Sequence, residues 1–279
     1  MKRHLALYTT ATRYDLIEHG RNTFAMLLVA LYVPVWVTLA YLVIPDKLVP
    51  FQLSATGERL APAGNLLTQI TGALNAVTLI TGFMMFAATF NSGRFDRRLA
   101  LAGYPRTHLV LAKTTSLTLA SAAVATYATA VICAAWSPKQ PVQLATALFG
   151  AALTYGALGV VYGSLLRREV EGMFLMIMTS VVDVALQNPM ASSGANSPFI
   201  RLLPSYGAMQ TASAAGFSTI ATPAYLGVQL LWFTAAALVS LLTFHHRTRN
   251  TLPPVNGLPS DLPRPRRDQP QSPQPRTPR

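Results

Sequence analysis

Asp183 is the residue whose chemistry is hardest to set aside, because it stands inside the apolar run Gly172 to Leu186. A carboxylate at the centre of a bilayer costs roughly 2.5–3.5 kcal/mol on insertion scales. At about 1.5 Å per residue from Gly172, Asp183 falls past the midplane, one turn before Gln187, where outer water is expected to relieve it in part. It is either a proton or substrate site or a hydrogen-bonded cap to the segment that follows, and the cap is the reading adopted. Other reactive groupings are missing. The sequence has no Gly-x-x-x-x-Gly-Lys-Ser/Thr loop, no His-Glu-x-x-His, no Gly-x-Ser-x-Gly and no Cys/His cluster at ligand spacing. The single cysteine, Cys133, lies in an apolar run, so no intrachain disulfide and no cysteine-based metal site can form. His4, His19, His108, His245 and His246 fall at the ends of apolar runs, where interfacial anchoring is the ordinary role. No catalytic residue, metal site or cofactor of its own is expected, and the chain is not expected to be an enzyme.

The elements that would hold Asp183 are membrane helices. Apolar residues are 51% of the chain and charged residues 11%, too few charges to cover a soluble globule. Runs able to cross about 30 Å of hydrocarbon occur at about 24–44, 66–90, 109–136, 142–166, 172–188 and 224–244, the fifth being the shortest. The expected fold is therefore an all-α integral membrane protein with six transmembrane helices over 24–244. Residues 1–23 place Leu5, Tyr8, Thr12 and Leu16 at helical spacing among charges, which predicts an interfacial helix. Residues 245–279 are predicted to be a disordered Pro/Arg-rich tail; 251–279 hold nine prolines, five arginines and no aromatic residue.

The formal net charge of +12 sits between and beyond the apolar runs, which favours lipid headgroups over nucleic acid as its partner. Assigned to alternate sides, 17 of the 22 Lys and Arg residues share one side with both termini; Lys47, Arg59, Lys139 and Arg201 take the other. That asymmetry predicts a plasma (inner) membrane protein with both termini cytoplasmic.

Within the second span Thr68, Gly72, Asn75, Thr78 and Gly82 share a stripe, with Gln69 and Thr71 beside it. Such a stripe lines a subunit interface or a transport path, or is packing glue. Gln69, Asn75, Thr78, Asp183 and Gln187 are the candidate path or interface residues. Gly159 and Gly163, with Gly156 near the same face, predict close packing on a neighbouring helix.

Between the second and third spans the sequence reads Asn91-Ser-Gly-Arg-Phe-Asp-Arg-Arg-Leu-Ala-Leu-Ala-Gly-Tyr-Pro-Arg106, followed by Leu109 to Lys113. This resembles the cytoplasmic coupling segment of ABC-2 type transporter permeases: a charged stretch, a short Leu-containing helix, a small residue, a proline and an apolar run leading to Lys. The matching positions are Arg97, Arg98, Leu99, Ala102, Pro105 and Lys113. The stretch Phe199 to Gln210 is similar to the family's Leu-Pro segment, which implies re-entrant outer helices between the fifth and sixth spans. Family members often carry a Glu-rich loop here, whereas Asp96 is this loop's only acid. The resemblance implies the transmembrane permease subunit of an ABC exporter, paired with a second permease copy in a homodimer or heterodimer. A separate ABC ATPase subunit would hold the ATP. It further implies that Arg94, Phe95, Asp96, Arg97, Arg98, Leu99, Pro105 and Arg106 form the ATPase-coupling loop. The alternatives are a proton-coupled secondary transporter using Asp183 and a non-transporting membrane scaffold.

Overall fold

The computed structural model describes residues 2–190 and 197–248, and the predicted tail beyond 248 lies outside them. The described chain is a helical bundle, α1 (Lys2–Arg21), α2 (Thr23–Val43), α3 (Gly64–Leu101), α4 (Arg106–Ala135), α5 (Pro141–Leu165), α6 (Glu169–Gln187), α7 (Tyr206–Phe217) and α8 (Pro223–Thr248). Five stretches are long and apolar enough to cross a membrane: Ala25–Val43, Gly64–Gly93, Thr107–Ala135, Pro141–Leu165 and Pro223–Thr243. The protein is thus an all-α, multi-pass membrane protein. The remaining long helix, α6, carries Glu169, Glu171 and Asp183 in 19 residues, about 28 Å.

In a bilayer apolar burial alone does not hold helices together, so close approach between backbones must. Helices α3 and α5 form the centre and the other spans pack round them. The α5 glycines make this contact: a Cβ on Gly159 would lie 2.3 Å from the Gly82 carbonyl oxygen, and one on Gly163 2.8 Å from that of Phe86. Backbone polar groups are also accounted for. Pro34 lacks an N–H and so leaves the Ala30 carbonyl of α2 without its helical donor; the Tyr127 hydroxyl of α4 donates to that oxygen at 2.9 Å.

Two elements differ from the sequence expectation. The second span does not stop at 90: α3 runs unbroken through the charged stretch to Leu101, 38 residues or about 57 Å. Gly93 is absorbed because the residues after it are good helix formers. The helix ends instead at Gly103, whose φ of +88° closes the turn with Gly103 N–H to Ala100 O at 3.3 Å and Tyr104 N–H to Leu99 O at 3.0 Å. A hairpin, β1 (Phe51–Gln52) against β2 (Arg59–Leu60), also closes the far end of the bundle.

Candidate functional site

Helix α3 projects past its span at the end of the bundle where α1 lies, and α4 returns from it after the Gly103 turn. Side chains from three helices lock this projection. Lys113 of α4 turns inward to Asp96 at 3.0 Å and donates to Ser92 Oγ at 2.9 Å. The Tyr104 hydroxyl donates to Leu7 O at 2.6 Å, and Tyr8 pairs with Thr115 at 2.7 Å. His19 is buried, its Nε2 3.1 Å from Ser116 Oγ. Burial and then Lys113 hold the His19 ring below its ordinary pKa, while burial raises Asp15 and Glu18 above theirs despite the opposing Lys113. The predicted coupling residues therefore do not form a loop. Arg94, Phe95, Asp96, Arg97, Arg98 and Leu99 lie on α3, Pro105 caps α4, and Arg106 opens it. Asp96 is spent on Lys113. Leu99 is half-buried and, together with Phe95, lines a cavity of about 530 Å³ against α1; Phe95, Arg98 and Leu101 are exposed.

Towards the hairpin end, Asp183 is only 2% exposed. Solvent exposure does not relieve it, because the chain after α6 folds back over it as α7. Its oxygens accept from the Tyr155 hydroxyl, from Ser205 N–H at 2.9 Å and from Gln187 Nε2 at 2.6 Å. Ser205 is the N-cap of α7, so the carboxylate serves one free donor of that helix start and complements its dipole. Gln229 of α8 serves another: its Oε1 accepts from Ala208 N–H at 3.0 Å while its Nε2 donates to Thr154 Oγ1 at 2.6 Å. The carbonyls at the other end of α7 accept from the α4–α5 turn, Ala215 O from Gln140 N–H at 2.8 Å and Gly216 O from Lys139 N–H at 3.3 Å. A 12-residue helix with ten buried positions is held in the bundle because its ends find partners.

The small and polar stripe on α3 is occupied by neighbours within this chain. Trp36 of α2 fills the space over Gly72, and Met176 of α6 the space over Gly82. Ser180 bridges Thr78 at 2.8 Å and Asn75 Oδ1 at 3.0 Å. Gln69, Thr78, Asp183 and Gln187 are each 5% exposed or less. Asn75 alone of that group keeps an open side. Gln69 is fully buried with neither amide atom hydrogen-bonded among the described residues.

No family model matches the chain, and no curated protein matches it. Sequence reasoning missed Tyr155 and Ser205 around Asp183 and Gln229 beside them, and read His19 as an interfacial anchor where it is buried against Ser116. A buried carboxylate demands donors, so a search for Tyr and Ser on the neighbouring runs was the available signal; for Gln229 a lone amide inside an apolar span was one.

Proposed function

We propose that the chain is the transmembrane permease subunit of an ATP-driven exporter of the ABC-2 type, energised by a separate ATPase that binds the ATP. One observation carries the reading: the projecting end of α3, tied to α1 and α4 by side-chain hydrogen bonds and the Lys113–Asp96 pair, leaves Phe95, Arg98 and Leu101 exposed near its tip. Exposed apolar side chains beside a guanidinium suit a groove on a soluble partner rather than water. A push there would be transmitted along one continuous helix, Gly64–Leu101, to the centre of the bundle.

In this reading α2, α3, α4, α5, α6 and α8 are six spans, α1 lies along the cytoplasmic interface, and α7 is a re-entrant helix entered from outside. Both termini face the cytoplasm of the plasma membrane, and two copies of the permease enclose the path for an amphiphilic substrate. The arginine asymmetry of the sequence supports the orientation. The test is isolation of the tagged chain from its native membranes. A stoichiometric ATPase is expected to accompany it, and Leu101→Asp, at an exposed position, should weaken that association by about 2 kcal/mol. Arg97→Lys with Arg98→Lys, which keeps the charge and removes the planar fork, should weaken it in the same direction. Full partner recovery in both variants would remove the coupling assignment.

A further inference from the structure

Helix α3 is covered on nearly every side, yet one line of it stays open. Asn75, Leu79, Phe83, Ala87 and Asn91 recur every four residues and each retains accessible surface. At about 1.5 Å per residue the line is about 24 Å long. It runs between α2 and α6, which both pack on α3 and hardly touch one another. At the α1 end this groove widens to a cavity of about 480 Å³, within the range of sites for small ligands.

The cavity has two kinds of wall. Leu28, Ile80, Phe83, Met84 and Met173 make it apolar along its depth. Arg21, Asn91, Glu18 and Glu169 collect at its rim, where the spans of α2 and α3 end and α6 begins. Arg21 is exposed and has no carboxylate within ion-pair distance among the described residues. Its planar fork matches a phosphate. Two carboxylates on the same rim match an ammonium.

We infer that this groove binds one zwitterionic phospholipid, its phosphoethanolamine head at the rim and an acyl chain lying along α3. A purely anionic head meets two carboxylates against one guanidinium, and a purely cationic amphiphile meets Arg21, so the mixed head fits best. The inference deepens the exporter reading by naming an amphiphile with lateral access to the bundle. Lipid binding needs no ATPase, so the two readings fail independently.

The purified, delipidated protein is titrated with phosphatidylethanolamine, phosphatidylglycerol and a trimethylammonium lipid of identical chains, and bound lipid is counted by native mass spectrometry. One phosphatidylethanolamine should be retained, at least fivefold over either competitor. Arg21→Gln, at an exposed position, should lower that preference at least fivefold. Ala87→Trp should abolish the adduct, whereas Leu231→Trp on the exposed face of α8 should leave it unchanged. Equal binding of all three lipids in the wild type and in Arg21→Gln means only a lipid annulus and overturns the proposal, even if Ala87→Trp fails to fold. Preference for phosphatidylglycerol overturns the zwitterionic head. A change of oligomeric state in Ala87→Trp with lipid binding intact makes the groove a seam between copies and overturns it as well.

Discussion

Replacing Asp183 asks whether its carboxylate is a structural cap. In Asp183→Ala the three donors it serves are stranded unequally. Tyr155 can turn to the Thr179 carbonyl at 3.4 Å, and Gln187 keeps Ser205 Oγ at 2.9 Å. Only the Ser205 N–H is left with nothing, and one orphaned buried group costs about 1–3 kcal/mol. The expected loss is about 2 kcal/mol, since interhelical hydrogen bonds in membranes average only about 0.6 kcal/mol and the other two donors keep partners. In Asp183→Asn the amide oxygen still accepts from Tyr155 and Ser205. Its new Nδ2 faces Gln187, whose amide can turn over to present Oε1 to it and to the Ser205 hydroxyl, at the cost of the Nε2 bond to the residue-183 carbonyl at 3.1 Å. That variant should lose about 1 kcal/mol, less than the Ala variant. Reversible unfolding in mixed dodecylsulfate and maltoside micelles measures both, and Tyr155→Phe closes a double-mutant cycle. An Asn variant as damaged as the Ala variant would refute the cap, as would a gain in stability from either, which would mean that an uncompensated charge had been removed.

The clamp on α3 predicts that Lys113→Met, which strands Asp96 beside Asp15 and Glu18, costs about 3 kcal/mol, read by the same unfolding assay. His19 has a depressed native pKa, so its contribution is fully present above its ordinary value of 6.5 and is lost as pH falls through that value towards the native one. Protection of α1 amides against hydrogen exchange, taken relative to their intrinsic rate at each pH, should therefore fall between pH 7.5 and 5.5 more in the wild type than in His19→Gln. The raised carboxyls of Asp15 and Glu18 act in the opposite sense, so the difference between the two proteins is the quantity to read. Gly159→Ala drives a Cβ into the Gly82 carbonyl and should cost about 1–3 kcal/mol, whereas Gly227→Ala, with nothing within 4 Å, should change stability by less than about 0.5 kcal/mol.

What the sequence made legible follows from the length of its signals. Charge-free runs of twenty residues announce membrane helices, and the bounds expected for the first, third, fourth and sixth spans start within three residues of the helices found. Gly159 and Gly163 do pack on a neighbour, as their spacing implied. The hairpin was invisible because two-residue strands carry no periodicity. Helix α7 was hard to place because Ala, Ser and Gly dominate it, and its burial depends on donors and acceptors from α6, α8 and the α4–α5 turn. The pairing of Lys113 with Asp96 was hidden too, since a Lys at a span end ordinarily reaches for the interface. The α3 boundary was misread because charge was taken as the end of a helix, whereas the residue that ends it is Gly103.

The claim that the tip of α3 seats a separate ATPase is tested most directly by site-specific photo-cross-linking in native membranes. A photoreactive side chain is placed at position 101 on the tip or at position 57 in the hairpin turn at the other end. The account predicts that position 101 captures one polypeptide that binds ATP, and that Arg97→Lys with Arg98→Lys reduces the yield, while position 57 captures none. Equal capture from both positions, or capture from 101 of nothing that binds ATP, would contradict it.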